Sequence, residues 1–468
     1  MHLSTTQFWA GLLLGALFLC APAYYNLLPL WFRDTPAYME AGFDDVVSDK
    51  VVWTYGAFLR HVSLKESIWL VIFVQGMLLS TVLYYCFKYI FKTSRAWHYV
   101  FYVIIISMTT AASFHSSHLM PDVFTPIMLL SVGLLLLTPE MTRKDQITLS
   151  LFLLLAISMH NSHWGIMLVL LLIMAVAGLS TTIRTYYQAV GLSWKKVGWV
   201  LGITASSYLL VSGIHYSIGG NFKATRGASF YLFARLWEYD IAQDYLKSNC
   251  EQIEHPICGS LDSLTRGQEY LWGEQPTSLK QQGGWSKENE AFFAQLNKDI
   301  LTTPNLLKRY LIKNLEQTFA QLMYAQIDPD RMAKREELLA SFYRFYPAYG
   351  VAAKYSRQHL GLYRPVTIAA KSQLQLGMLL LSIVLLLWFL LQQKMPPLPT
   401  VFTLFIGASL LANAGVVVSA WGFEDRLQSR VAWLITLPAC WLIFITCEKW
   451  RLVQQVSSAA ASTKKDVL

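Results

Sequence analysis

Charged residues are scarce in this sequence. Asp, Glu, Lys and Arg together make up 14% of its 468 residues, whereas hydrophobic residues make up 54%. A chain with a mean hydropathy of +0.38 cannot bury that much apolar surface in a water-soluble core. The composition therefore predicts a polytopic membrane protein. The net charge is +9, but Lys and Arg occur in short loops beside apolar runs, which indicates membrane orientation rather than a nucleic-acid site.

Three common nucleotide-binding or catalytic motifs are also missing. The sequence contains no Walker-type glycine-rich loop, no GxGxxG after a strand and no GxSxG elbow, so it gives no indication of those sites. The first seven residues contain no Lys or Arg, and the apolar run that follows continues to Leu30. This pattern favours a first membrane span over a cleavable signal peptide.

Apolar runs long enough to cross about 30 Å of hydrocarbon recur along the chain. About ten are present, and they predict an all-α integral membrane protein. They lie near 8–30, 66–91, 97–114, 123–138, 147–160, 164–180, 197–216, 373–392, 399–420 and 431–448. We divide the chain into an N-terminal transmembrane module with catalytic outer loops (1–216), a small helical extracytoplasmic domain between the seventh and eighth spans (217–370), C-terminal transmembrane helices (371–450) and a cytoplasmic tail (451–468).

Basic residues indicate how these spans are oriented. With the N-terminus inside, each predicted cytoplasmic loop carries Lys or Arg and few acids, as the positive-inside rule requires. These residues are Lys88, Lys92, Arg95, Arg143, Lys144, Arg184, Lys195, Lys196, Lys394, Lys449, Arg451, Lys464 and Lys465. Both termini are then cytoplasmic. The 217–370 segment contains no N-x-S/T acceptor, which favours a bacterial plasma membrane over the secretory pathway.

The predicted outer loops concentrate polar groups. The first loop contains several acids, and the turns 114–122 and 160–163 hold four of the ten histidines. A last polar loop covers 422–430. Ionisable groups at membrane depth are costly and usually mark a site, so we predict that the working surface is the outer face.

Six cysteines are present, and four of them lie in or at the ends of predicted spans, where buried thiols are expected. Cys250 and Cys258 lie in the predicted outer domain and are close enough in sequence to close a loop in an oxidising compartment. We predict a disulfide between them, which would staple the loop and carry no chemistry.

Several short motifs resemble those of the GT-C superfamily of integral-membrane glycosyltransferases. Asp34-Thr-Pro-Ala-Tyr38 resembles the Asp-Ser-x-x-Tyr type of first-loop element, and Trp53 to His61 resembles an interfacial helix. Gln75 in the second span, Pro121-Asp-Val-Phe-Thr-Pro126 and the arginine-containing loop Glu424 to Arg430 are further similarities. The resemblance implies sugar transfer from a polyprenyl-phosphate carrier to an envelope lipid, glycan or protein acceptor on the outer side, usually with inversion.

The residue types in these loops suit that chemistry. An acceptor hydroxyl must lose its proton as it attacks the anomeric carbon, so Asp34 is a candidate general base. The carrier phosphate leaves as an anion, and Arg60, Arg426 and Arg430 are candidates to stabilise it. Many family members carry an acid-x-acid pair that is absent here, so the base stays open between Asp34 and Asp44. Helix capping by Asp34 and snorkelling of the arginines are the structural alternatives.

Two histidine pairs allow either metal or substrate binding. Histidines spaced by three residues can converge on a helical turn, and His115, His118, His160 and His163 with Asp122 match that spacing. A divalent metal is therefore one hypothesis, which the missing acid-x-acid pair weakens. Contacts to the donor phosphate or acceptor, and a purely structural role, are the others. Asp122 is equally compatible with a helix N-cap.

These observations predict one GT-C-like cavity among the outer loops. We expect Asp34, His115, His163 and Arg426 to line it together. The candidate substrate-binding residues are Tyr38, His115, His118, Asp122, His160, His163, Glu424 and Asp425. The alternative is a flippase for lipid-linked saccharides or a non-catalytic envelope-assembly protein. Transport favours charged or broken segments at mid-membrane, whereas these spans are mostly uninterrupted.

Overall fold

The computed structural model describes residues 5–48, 50–92, 96–219, 221–225, 227–261, 263–265, 267–327, 336–362, 365–392, 395–420 and 422–447. The predicted cytoplasmic tail, 451–468, lies outside the described residues, as do Arg95, Lys394 and Lys449. Within the described ranges the chain is helical, which confirms the all-α prediction for them. An isolated β-bridge joins Leu30 to His118.

The helices of the N-terminal part surround one large hydrophobic core. They are α1 Thr5–Leu19, α2 Ala21–Asn26, α3 Thr35–Phe43, α4 Trp53–Val62, α5 Ile68–Tyr85, α6 Ala96–Thr109, α7 Ala112–Ser117, α8 Phe124–Leu137, α9 Arg143–Ser158, α10 Ser162–Ala177, α11 Thr181–Ala189 and α12 Trp194–Gly219. A π-helical turn, Cys86–Ile90, extends α5.

The remaining helices follow in two groups. The segment after α12 contains α13 Ala228–Glu238, α14 Ile241–Asn249, α15 Gly267–Trp272, α16 Lys287–Thr302, α17 Pro304–Gln321, α18 Glu337–Phe345 and α19 Pro347–Lys354. The C-terminal part contains α20 Pro365–Leu391, α21 Pro397–Ala420 and α22 Asp425–Ala432.

Five helices of the described chain are long and apolar enough to cross a membrane, so the protein has the helices of a membrane protein. They are Ile68–Ile90, Trp194–Gly219, Ile368–Leu391, Pro397–Ala420 and Asp425–Cys447. The pair α10 and α11 also passes this test but is bent by 112°. Apolar helices of 10–17 residues occupy other predicted spans, so the count of ten is not confirmed.

The first predicted span, 8–30, is divided in the structure. Helix α1 ends at Leu19, and the short α2 that follows carries Pro22 in its first turn. Proline donates no backbone hydrogen bond, so it interrupts the ladder that a continuous helix needs. Leu27 then adopts a left-handed conformation with φ 65°. The chain therefore turns early and enters the first loop.

Helices α3 and α4 form an unusually close pair in that loop. A Cβ atom added to Gly42 would lie 2.0 Å from the carbonyl carbon of Gly56, which only a glycine pair permits. The contact brings the Tyr38 ring to 5.0 Å from the Tyr55 ring. Tyr55 in turn donates a hydrogen bond of 2.8 Å to Gln75 on α5. This packing fixes the first loop against the helices and confirms that the Trp53 segment is helical.

The segment predicted as one outer domain has two parts. Helices α13 to α16 share a hydrophobic core of their own, and the Cys250–Cys258 disulfide, with Cα atoms 5.6 Å apart, confirms the predicted bridge beside that core. Helices α18 and α19 instead pack on the first loop. Gln358, just after α19, hydrogen bonds to both backbone polar groups of Trp31 at 3.2 and 2.8 Å. The location of this segment outside the membrane stays a prediction.

Candidate functional site

Two arginines one helical turn apart on α22 meet carboxylates from distant parts of the chain. Arg426 Nη1 lies 3.2 Å from Asp34 Oδ2, although the two residues are 392 positions apart in sequence. Arg426 Nε and Arg430 Nη1 lie 3.6 and 3.5 Å from the same oxygen of Asp122. Asp122 therefore lies between two guanidinium groups, and Asp34 approaches one of them from the other side.

Arg33 and Glu424 extend this group at its exposed edge. The Arg33 guanidinium lies 3.8 Å from Asp34 and 3.8 Å from Glu424. We call Arg33, Asp34, Asp122, Glu424, Arg426 and Arg430 the arginine cluster. Its three positive and three negative charges balance at neutral pH.

Burial divides the arginine cluster into an inner and an outer half. The side chains of Arg430 and Asp122 are 0% and 2% exposed, whereas Asp34 is 33% exposed. Burial alone would raise the pKa of Asp122, but the neighbouring Arg426 and Arg430 hold that pKa well below its ordinary value. Asp122 is therefore ionised and fixed in place, and Asp34 is the carboxylate that incoming molecules can reach.

Local structure explains how the arginines are held. Gln321 at the end of α17 hydrogen bonds to both backbone polar groups of Glu424, at 3.0 and 2.9 Å, just before α22 begins. Asn413 on α21 donates to the carbonyl of Leu427 at 2.7 Å and accepts from Arg430 at 3.0 Å. The start of α22 is thus anchored to two other helices, which limits the freedom of both arginines.

Asp34 occupies the N-cap position of α3. Helix capping was the structural alternative to a catalytic role for its side chain. Its carboxylate makes no capping hydrogen bond to the helix, and it contacts Arg426 and Arg33 instead. Pro36 occupies the first turn of the helix and has no N–H to offer a capping group. The backbone position is that of a cap, but the side chain belongs to the arginine cluster.

A small cavity lies beside the arginine cluster. It is lined by Phe32, Ala111, Phe114, His115, His118, Met120, Asp122, Ile327, Arg426 and Ser429. Its volume of about 40 Å³ is enough for about one water molecule. The Arg426 guanidinium also covers the ring of Phe32 at 4.4 Å from the centroid. Arg426 therefore borders the cavity together with the two histidines of the predicted turn, His115 and His118.

His115 contributes a neutral imidazole to this cavity. Its Nε2 lies 3.1 Å from the hydroxyl of Ser429. Burial is the main reason that its pKa is lowered to about 3, with the nearby arginines acting in the same direction. His118 also lines the cavity, and its Nδ1 lies 2.6 Å from the carbonyl of Phe114. At neutral pH His115 can exchange hydrogen bonds without adding charge.

His163 is not among the residues that line this cavity, so the structure does not place all of the expected group, Asp34, His115, His163 and Arg426, around it. Both its ring nitrogens are engaged inside the protein, Nε2 with Thr125 at 2.9 Å and Nδ1 with the carbonyl of Ala156 at 2.6 Å. Asp34 reaches Arg426 at the cavity edge but is itself not a lining residue. His163 holds α10 against the adjacent helices.

His160 lies closer to the arginine cluster than its pair partner. Its Nδ1 lies 2.9 Å from the hydroxyl of Ser162, and that hydroxyl also accepts from Arg430 at 3.3 Å. Among the described residues no group of three or more His, Cys, Asp or Glu side chains is arranged to hold a metal ion. The divalent-metal hypothesis stays a prediction that this geometry does not strengthen.

Three other predicted site residues have their own partners. Asp44 pairs with Arg344 on α18 at 3.0 Å, and Arg60 pairs with Asp45 at 2.9 Å. Neither Asp44 nor Arg60 forms an ion pair with a member of the arginine cluster in the described part of the chain. Asp425 accepts a hydrogen bond of 2.9 Å from the backbone of Gln326, which ties two loops together. Between the two candidate bases, the structure brings Asp34 and not Asp44 to the arginines.

Tyr38 is buried next to the arginine cluster. Burial and the carboxylate of Asp34 raise the pKa of its hydroxyl well above the ordinary value. Tyr38 is therefore a neutral hydrogen-bonding group at physiological pH. Sequence reasoning missed Phe32, Ser429 and Asn413, since an apolar ring, a hydroxyl and an amide near a span carry no spacing signal of their own.

No protein-family model, no curated protein and no solved structure significantly matches this chain. The similarity to GT-C enzymes therefore rests on the short motifs alone. A function has to be argued from the chemistry of the arginine cluster and its cavity.

Proposed function

We propose that the protein is a GT-C-type membrane glycosyltransferase that moves a sugar from a polyprenyl-phosphate carrier to an envelope lipid, glycan or protein acceptor, with inversion. The observation that carries this proposal is the contact of a partly exposed carboxylate, Asp34, with a buried guanidinium, Arg426, beside a cavity. A base for the acceptor and a cation for the leaving phosphate are thereby adjacent.

Asp34 and Arg426 have complementary roles in this reaction. The acceptor hydroxyl gives its proton to the Asp34 carboxylate while its oxygen forms a bond to the anomeric carbon. The bond from that carbon to the phosphate oxygen breaks, and the electron pair leaves with the phosphate. Arg426 stabilises this developing charge, and Asp122, fixed between Arg426 and Arg430, orients the guanidinium.

Donor binding has to rearrange the closed site. Small-molecule sites usually enclose about 300–1,000 Å³, whereas this cavity holds about 40 Å³. The contact between Asp34 and Arg426 is a charged pair that a phosphate can replace, since phosphate also binds arginine with strong, charge-assisted hydrogen bonds. Replacement would free the Asp34 carboxylate at the moment when the donor is in place, which couples base activation to donor binding.

The proposed setting is the bacterial plasma membrane, with both termini in the cytoplasm and the arginine cluster on the extracytoplasmic face. The apolar helices and the basic loops at 88–95, 143–144 and 184–196 support it. A polyprenyl carrier is restricted to the membrane, so a site at the end of membrane-length helices suits such a donor.

The proposal is tested by sugar transfer in vesicles that contain the purified protein. A panel of radiolabelled polyprenyl-phosphate hexoses and pentoses serves as donor, and a membrane extract serves as acceptor. We expect Asp34→Asn and Arg426→Gln each to reduce transfer by at least about 100-fold, because a general base and a phosphate cation each contribute at this level. The protein level in the vesicles is measured for each variant.

Asp244→Asn is the matched control. Asp244 also pairs with an arginine, Arg309, at 2.6 Å, but on the exposed surface of α14 and α17. We expect this variant to retain transfer. Full activity of Asp34→Asn, with Arg426→Gln also active, would reject the glycosyltransferase assignment of the arginine cluster.

A further inference from the structure

The arginine cluster is electrically balanced, so it supplies no surplus positive charge for an anionic donor. Each of its arginines already faces a carboxylate within 4 Å. A phosphate that enters this site adds negative charge to a region of low dielectric, and that charge is costly unless a cation compensates for it. A phosphate in this site would therefore need a further cation near the cavity, outside the arginine cluster.

Lys371 on α20 is such a cation. Its Nζ lies 4.5 Å from the centroid of the Phe114 ring, and Phe114 lines the cavity. The Nζ also donates a hydrogen bond of 3.3 Å to the carbonyl of Ser107. Within the described part of the chain no carboxylate lies within ion-pair distance of this ammonium group. Lys371 is thus a positive charge beside the cavity that the protein itself leaves uncompensated.

The helix that carries Lys371 is bonded to residues that line the cavity. Ser372 hydrogen bonds to both backbone polar groups of Ile327 at 3.0 Å, and Ile327 is a lining residue. Gln375, one turn further, spans between the backbones of Ala111 and Ala325. Two of the lining residues, Ala111 and Ile327, are therefore attached directly to the first turns of α20 next to Lys371.

The same helix presents an apolar surface to its surroundings. Leu374, Leu380, Leu381 and Leu387 are 48–64% exposed, on a helix long and apolar enough to cross a membrane. A lysine on a lipid-facing helix commonly extends its ammonium toward water. Lys371 instead directs Nζ inward to Ser107 and Phe114. An ionisable side chain held in this way at membrane depth is expected to serve a ligand.

We propose that Lys371 is a second phosphate-binding cation of the site and contacts a polyprenyl phosphate that approaches along α20 from the lipid. This inference rests on the proposed function for the identity of the ligand. The phosphate would then contact both Arg426, which lines the cavity, and Lys371, which lies against Phe114, and the polyprenyl chain would lie on the exposed leucines of α20.

Lys196 provides a matched comparison within the same chain. Its Nζ donates to the carbonyls of Leu136 and Thr138 at 3.1 and 3.3 Å, so it too is a half-buried lysine bonded to backbone carbonyls. Those carbonyls are at the C-terminal end of α8, where a lysine stabilises the unpaired carbonyl groups of a helix. The carbonyl of Ser107 also lies in the last turn of a helix, α6, so both lysines bond to the C-terminal end of a helix. They differ because Lys371 also lies against Phe114, which lines the cavity, whereas the two partners of Lys196 do not line it.

The first experiment measures binding without turnover. Purified protein in detergent is titrated with radiolabelled polyprenyl phosphate, and polyprenol, phosphatidic acid and inorganic phosphate are compared as competitors. We expect Lys371→Gln to weaken binding of polyprenyl phosphate by about tenfold, since one charge-assisted hydrogen bond is lost. Lys371→Arg should bind within about threefold of the wild type, and Lys196→Gln should bind like the wild type.

Three outcomes of this titration would overturn the proposal. They are unchanged binding by Lys371→Gln, equal competition by polyprenol, and equal competition by phosphatidic acid or inorganic phosphate. The first excludes the lysine, the second excludes recognition of the phosphate, and the third assigns the phosphate to another source.

A second measurement uses the wild-type protein and so does not depend on the folding of a variant. Lysines are acylated with a small membrane-permeant amine reagent, and modification is measured by mass spectrometry with and without polyprenyl phosphate. We expect the lipid to reduce acylation of Lys371 several-fold and to leave Lys196 unchanged. Equal acylation of Lys371 in both samples would overturn the proposal.

The two proposals fail in distinguishable ways. Binding that depends on Lys371 in a protein without sugar transfer would support the lysine site and reject the glycosyltransferase. Transfer that persists in a Lys371→Gln protein with unchanged binding would reject the lysine site alone.

Discussion

Two largely buried charge clusters in the described part of the chain differ in how completely they are bonded. The second is formed by Tyr85, Lys88, Tyr89 and Asp145 and is called the lysine cluster. Lys88 lies 2.6 Å from one Asp145 oxygen, which Tyr89 also contacts, and Tyr85 donates to the other oxygen at 3.0 Å. One carboxylate thus satisfies one ammonium and receives hydrogen bonds on both oxygens.

The arginine cluster is less completely bonded. One Asp122 oxygen serves two guanidinium groups at 3.5 and 3.6 Å, distances at which hydrogen bonds are weak. The Nε atoms of Arg426 and Arg430 have no hydrogen-bond acceptor among the described residues. Buried polar atoms are normally paired. The lysine cluster follows this rule, whereas the arginine cluster keeps unused hydrogen-bond donors, as the proposed binding of a phosphate requires.

The largest expected contrast comes from neutralising one carboxylate in each cluster. Asp122→Asn leaves two buried guanidinium groups without their shared partner, so we expect a loss of about 3–5 kcal/mol in unfolding free energy. Asp145→Asn should cost less, about 1–2 kcal/mol, because the Lys88 side chain is 28% exposed and can turn to solvent. Unfolding in detergent, followed by tryptophan fluorescence, measures both. Equal losses would remove the distinction between the clusters.

A smaller effect is expected from the loop packing that supports only the arginine cluster. Gly42→Ala places a methyl group 2.0 Å from a carbonyl carbon of α4, so α3 must shift and carry Asp34 with it. Overpacking of this kind costs about 1–3 kcal/mol. Gly198→Ala on α12 is the control, since an added methyl group has nothing within 4 Å. If Gly42→Ala unfolds like Gly198→Ala, the close contact does not support the site.

The smallest expected effect is a difference in acid sensitivity. The pKa of His115 is lowered to about 3 in the folded protein from an ordinary 6.5, so the unfolded chain binds the extra proton first. Stability contributed by neutral His115 is therefore complete above about pH 6.5 and decreases as the pH falls toward 3. Between pH 7 and 5 we expect the unfolding free energy of the wild type to fall by about 1–2 kcal/mol more than that of His115→Gln. Unfolding measured at each pH tests this difference.

The lysine cluster responds in a different pH range. Burial alone would raise the pKa of Asp145, but hydrogen bonds from Lys88 and Tyr89 lower it below its ordinary 3.8. A carboxylate with a lowered pKa loses its stabilising effect only as the pH falls through that lower value. The unfolding free energy of Asp145→Asn should therefore change between pH 7 and 5 by the same amount as that of the wild type. If Asp145→Asn differed from the wild type in this pH range as much as His115→Gln does, the lowered pKa assigned to Asp145 would be contradicted.

Sequence reasoning predicted the helices and the polar loops because both depend on local composition. Several of the long apolar runs form helices long enough to cross a membrane. A left-handed residue such as Asp240, with φ 59° between α13 and α14, has no comparable signal in local composition. The pairing of Cys250 with Cys258 was predictable because short loops close readily.

The assembly of the site was harder to predict because it depends on tertiary contacts. Asp34 and Asp44 could not be ranked as bases until Arg344, 300 residues beyond Asp44, was seen to pair with it. The position of His163 away from the cavity could not be predicted, since spacing does not reveal that both of its ring nitrogens are engaged. Lys371 resembled an ordinary residue at the start of an apolar run, and only its inward Nζ distinguishes it.

The distance of 392 residues between Asp34 and Arg426 has a consequence for biosynthesis. At about 5–20 residues per second, the ribosome needs roughly 20–80 s to reach the arginine after it has made the acid. Throughout that interval the nascent chain carries Asp34, and later also Asp122, without Arg426 and Arg430. The arginine cluster therefore stays incomplete until the segment that carries Arg426 and Arg430 has been synthesised.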